Sequence, residues 1–78
     1  MQIINVIVIK EGIVDSCETF VAKTKAEVNA NVQLAELKFA ERASEYGASE
    51  DDMESYIEDG YYAGGNFSIC LVHSDIQQ

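Results

Sequence analysis

The side chains of this chain best suited to chemistry are carboxylates, and they are crowded. Within "ASEDDMESYIEDGYYAGGN", residues 48 to 66, Glu50, Asp51, Asp52, Glu54, Glu58 and Asp59 fall in ten positions. Such a run raises three possibilities: a divalent-metal loop, a polyanion-like surface, or the wet side of a short helix. A calcium loop needs alternating oxygen ligands, a central glycine and a closing glutamate. Here the glycine, Gly60, comes at the end, and Met53 and Ile57 interrupt the ligand pattern. A hydrolase built on paired carboxylates needs two of them converging across a pocket. Carboxylates pointing outward from one short helix do not converge.

The remaining reactive types are sparse. Cys17, Cys70 and the single histidine, His73, lack the close paired spacing of a zinc site. A serine or cysteine nucleophile needs a base held by a third group. His73 is the only candidate base, and in a strand it lies on the opposite face from Cys70. Both cysteines sit in strand-like segments, where buried, reduced thiols are expected. Gly64-Gly65 is followed by neither a lysine nor a helix, so it does not read as a phosphate loop. No catalytic residue, metal site or cofactor is expected, and the chain reads as a non-enzyme.

Charge narrows the partners. Residues 1–42 hold all five cations (Lys10, Lys23, Lys25, Lys38, Arg42) beside six acids, a net of −1. Residues 43–78 hold eight acids and no cation, a net of −8. That excess repels phosphates, which disfavours direct binding to nucleic acid or an anionic membrane. It favours a basic protein partner, or serves solubility alone.

The elements that must position these residues form one domain, 1–78. "IINVIVIK" is rich in β-branched residues and reads as a strand apolar on both faces. Glu11-Gly12 supplies a tight turn, and "IVDSCETF" returns as a hairpin. A two-residue loop pairs Ile9 with Val14, Ile7 with Ser16 and Ile3 with Phe20. Thr24 and Glu27 form a capping box for a helix that runs to about Tyr46, with Gly47 as the stop. Val28, Val32, Ala35, Phe39, Ala43 and Tyr46 make its apolar stripe. Ala30, Leu34 and Leu37 fall on another side, to be covered by a second helix or a partner subunit.

Ser49 caps that second helix, residues 50–59, which carries acids in its first turn. Met53, Tyr56, Ile57, Gly60 and Tyr61 line one side, so a solvated opposite face accounts for the acidic run. "YYAGGN" reads as a loop and "FSICLVHS" as the last strand. The expected fold is α+β, β-β-α-α-β, with three strands in the order 2-1-3 and both helices on one sheet face. A strand apolar on both sides belongs in the middle. The pairing above turns Ile3, Ile7, Ile9, Phe20, Phe67, Ile69 and Leu71 toward the helices.

That leaves Ile4, Val6, Val8, Cys70 and Val72 on an uncovered face, and with Leu34 and Leu37 they imply a contact surface. The expected function is a small acidic interaction module that self-associates. The alternative is an acidic inhibitor that imitates nucleic acid in a basic groove, anchored by Tyr56, Tyr61 and Tyr62. No apolar run is long enough to cross a bilayer, and no basic leader follows Met1, so a cytoplasmic location is expected.

Overall fold

The computed structural model describes residues 1–75, and the last three residues of the expected domain lie outside the described residues. β1 (Gln2–Lys10) and β2 (Ile13–Ala22) form the hairpin. Glu11 and Gly12 between them both take positive φ, 53° and 80°. Two consecutive left-handed residues give the turn whose twist matches paired strands. The Glu11 amide donates to the Asn66 carbonyl at 2.7 Å, tying this turn to the loop before the last strand.

The expected capping box forms only in part. The Thr24 hydroxyl donates to Glu27 Oε1 at 2.9 Å, but no backbone amide is capped by a side chain there. One 3-10 turn, Lys25–Glu27, leads into α1 (Val28–Glu45). Ala35, Phe39 and Ala43 on α1 are buried, and Val32 and Tyr46 pack beside them. This is the stripe that the sequence marks. Asn31 is buried as well, and its Nδ2 donates to the Phe20 carbonyl (3.2 Å) and to Gln2 Oε1 (3.3 Å). A buried amide with its donors used costs little and pins the helix to the hairpin.

Ser49 Oγ accepts from the Asp51 amide at 3.3 Å, as a cap should, and opens the 3-10 turn Glu50–Asp52. α2 (Met53–Asp59) follows and ends at Gly60, whose φ of 70° is left-handed. There the chain passes directly into β3 (Tyr61–Ala63), which pairs with β4 (Phe67–Asp75). The sheet therefore has four antiparallel strands, in the order β2-β1-β4-β3. The three long strands stand in the expected order. The stretch expected as a loop supplies a fourth, short edge strand.

The faces of the sheet differ from the expectation. Ile4, Val6 and Val8 are buried with Ile69, Leu71 and Phe39 under the helices, while Ile3, Ile7 and Ile9 lie on the other side. A register shift explains the reversal. Ile9 does pair with Val14, but between Val8 and Ile9 β2 carries one extra residue, Asp15. Beyond this bulge Phe20 meets Ile4, not Ile3, and Cys17 meets Ile7. One inserted residue exchanges the two faces of everything that follows. Phe20, Phe67, Ile69 and Leu71 do face the helices as expected.

Candidate functional site

The covered side of the sheet needs no partner. Ile4, Val6 and Val8 are at most 1% exposed, so they form core and not the contact surface expected of them. The open side is different. Reading across from β2 to β3, its rows are Val21-Ile3-Ser74, Thr19-Asn5-Val72, Cys17-Ile7-Cys70-Tyr61 and Val14-Ile9-Ser68-Ala63. None of these residues is charged, although one residue in four of the chain is. Val14 (58% exposed), Tyr61 (51%), Val21 (42%) and Val72 (41%) stand open to solvent. Ile3, Ile7 and Ile9 between them are half-buried only by their neighbours in the sheet.

Two features give this face its shape. The Thr19 hydroxyl donates to Asn5 Oδ1 at 2.7 Å, which occupies much of the polar capacity of the second row. At the hairpin end the sheet dips into a shallow hollow of about 400 Å³, bounded by Ile9, Tyr61, Ala63, the glycine loop Gly64-Gly65 and, from the hairpin turn, Glu11. Asn5 was the signal available in the sequence. It is the one polar side chain inside the β1 apolar run, and it marks the open side.

The thiols lie on this face too. Cys17 is exposed and Cys70 half-buried, which corrects the expectation that both are interior. They flank Ile7 in one row with β1 between them. Two strand spacings put them ~10 Å apart, beyond the ~7 Å Cα separation that a disulfide spans. His73 pairs with Ile4 and so belongs to the helix-facing side, opposite Cys70.

On the helix layer, Glu50, Asp51, Asp52, Glu54, Glu58 and Asp59 are all exposed. Among the described residues no three side chains of metal-ligating type converge. The two cations of α1 are held by other acids. Arg42 binds Glu18 through Nε at 2.9 Å and reaches Glu45 at 3.2 Å, and Lys38 reaches Glu41 (3.2 Å) and Glu18 (3.6 Å). The hydrogen bonds that Arg42 donates to Glu18, then to Glu45, hold its pKa above the ordinary value. These pairs use acids of β2 and α1, and the run from 50 to 59 takes part in none of them.

The three tyrosines offered as interface anchors part company. Tyr56 and Tyr62 are half-buried and pack against each other at a 55° tilt with centroids 4.7 Å apart, next to Phe67 and Tyr46. Tyr61 alone is exposed, on the open sheet face away from the acidic helix. Leu34 and Leu37 remain exposed, so α2 does not cover the second α1 stripe. Leu37 joins Gln33, Glu36, Ala40 and Ile57 around a groove between the two helices.

Among the described residues no helix is long and apolar enough to cross a membrane. No family model, no curated protein and no solved structure matches this chain. The fold is a small α+β arrangement, two helices over one face of a four-stranded antiparallel sheet and, among the described residues, no element over the other.

Proposed function

We propose that this chain is a non-enzymatic protein-interaction module of the cell interior that self-associates through its open sheet face. The observation that carries the reading is that the cross-strand rows of this four-stranded surface are uncharged and mostly apolar on a chain of net charge −9. Contiguous apolar surface of this kind marks a contact face on a small domain. A second copy of the same face is the occupant best matched to it. The three long strands, nine or ten residues each at ~3.3 Å per residue and ~4.8 Å of width per strand, give a footprint of ~30 by ~15 Å per copy, to which the short β3 adds only an edge. Two such footprints make ~900 Å², near the ~1,000 Å² that a specific interface needs.

Electrostatics does not oppose the pairing. Sheets packed face to face lie ~10 Å apart, which puts the two acidic helix layers outermost at ~30 Å, about three Debye lengths at 0.1 M salt. The nucleic-acid-mimic reading has weaker support, because of its tyrosine anchors two are half-buried against each other and the third is on the far side from the acids.

Light scattering at micromolar concentration is expected to give twice the 8.6 kDa chain mass. Val72→Lys, which places an unpaired ammonium in the middle of the face, is expected to return the monomer mass with an unchanged circular-dichroism spectrum. A wild-type chain that scatters as a monomer up to high micromolar concentration sinks the proposal.

A further inference from the structure

The groove between the helices has a chemistry unlike that of the sheet face. Gln33, Glu36, Leu37 and Ala40 line its α1 wall at spacings of i, i+3, i+4 and i+7, and Ile57 forms the α2 wall. That spacing is one straight ridge two turns long, enclosing about 350 Å³. Leu37 is 67% exposed at the rim, while the small Ala40 side chain leaves depth beside it. Glu36 stands in the wall, and Glu54 lies one turn from Ile57 on α2. Among the described residues no cation pairs with either carboxylate.

From this geometry we propose that the α1–α2 groove binds a basic amphipathic helix of another protein, with apolar anchors against Leu37, Ala40 and Ile57 and cations against Glu36 and Glu54. The straight two-turn ridge matches the anchor spacing of a docked helix. The unpaired acids complement a basic rim and reject phosphate-bearing ligands. A second copy of this chain does not qualify as the occupant. Its own helical cations, Lys38 and Arg42, are engaged by Glu18, Glu41 and Glu45, and α2 carries none. The groove and the open sheet lie on opposite sides of the fold, so both contacts fit on one chain at once.

The test uses two synthetic 16-residue peptides of one composition, lysine, alanine and three leucines. In one the leucines lie at i, i+4 and i+7 on a single face, and in the other they are spread around the helix. The striped peptide is expected to bind at least roughly tenfold more tightly by fluorescence anisotropy. Its amide shift changes are expected to centre on Gln33 to Ala40 and on Ile57. Leu37→Lys is expected to remove the preference, and Leu34→Lys, outside the groove, to leave it intact. Equal affinity for both peptides would mean a diffuse acidic attraction and would overturn the proposal. So would shift changes centred on the open sheet face.

Discussion

β1 offers the same side chains to two different fates. On one face Ile4, Val6 and Val8 are sealed under α1, and on the other Ile3, Ile7 and Ile9 are covered only by their neighbours in the sheet. The residue types are alike, so hydrophobicity does not decide which face becomes core. The neighbouring strands decide it. Glu18, in register with Val6 on the helix side of β2, answers Lys38 and Arg42 from α1, while Asn5 and Thr19 satisfy each other on the open side. The cross-strand rows of the open face hold no charge, and the carboxylate beside its hollow is Glu11 of the hairpin turn. An acidic chain thus keeps one surface on which like charges do not meet.

The sharpest way to break this comparison is to truncate one side chain on the covered face. Phe39 is fully buried against the sheet. Phe39→Ala is expected to lower stability by about 3–5 kcal/mol, whereas Val72→Ala on the open face is expected to change the isolated chain by under about 1 kcal/mol. Urea melts of both variants at sub-micromolar concentration measure the contrast. Similar losses for the two would mean that the open face is as much a part of the chain's own core as the covered one.

A smaller effect probes the joint between helix layer and sheet. Gly60 has φ of 70°, accepts from the Leu71 amide at 2.8 Å, and would place a Cβ 3.1 Å from the Leu71 carbonyl oxygen. Gly60→Ala therefore meets both the left-handed penalty and a close backbone atom. A loss of about 1–2 kcal/mol is expected, read as a fall in Tm of several degrees for a domain of this size. A variant as stable as the parent would mean that α2 and β3 are not rigidly joined at this residue.

The same joint shows why part of the fold was hidden in the sequence. "YYAGGN" has two glycines and reads as a loop, yet Tyr61 to Ala63 pair with β4 because Gly60 turns the chain onto its edge. Three residues are too few for periodicity to register. The α1 stripe, the Ser49 cap, the hairpin turn and the order of the three long strands were legible, because each rests on local chemistry repeated over several residues. The open face was not. Its identity depends on Asp15, one bulged residue with no glycine to announce it. Beyond that point every pairing inferred from a regular hairpin is displaced by one. The groove was hidden for a related reason: Leu37 and Ile57 are 20 positions apart, and only packing brings them together.

Dilution sharpens the comparison from the other side. A face that is covered by a second copy stabilises the chain by mass action, by up to about 0.7 kcal/mol per chain for each tenfold rise in concentration. The Tm of the parent is expected to climb by a few degrees between 1 and 100 μM as a result. The Tm of Val72→Lys is expected to stay flat across that range. A flat parent curve would leave the open face bare in solution and remove the basis for self-association.

The smallest expected effect falls on the residues with the densest charge. Glu54 and Glu58 are exposed on α2 and four positions apart, so they repel each other weakly on one side of the helix. Neither pairs with a cation among the described residues. Replacing both with glutamine breaks no ion pair; it gives up the small attraction of Glu54 to the N-terminus of α2 and relieves the repulsion between the two carboxylates. Stability is expected to hold within about half a kcal/mol. The fold being intact, the same double variant is a clean probe of the helix layer's outer surface. Glu54 lies one turn from Ile57 on α2, so on the proposed docking the affinity for the striped basic peptide is expected to fall and to lose part of its salt dependence. Association through the sheet face, on the opposite side, is expected to be untouched. A calcium or magnesium site in this run predicts another pattern: a rise in Tm on adding sub-millimolar metal that the glutamines abolish. Melting curves of parent and variant, with and without each ion, decide between these outcomes. A metal-dependent shift of several degrees in the parent alone would show that the carboxylates bind an ion and do more than face water.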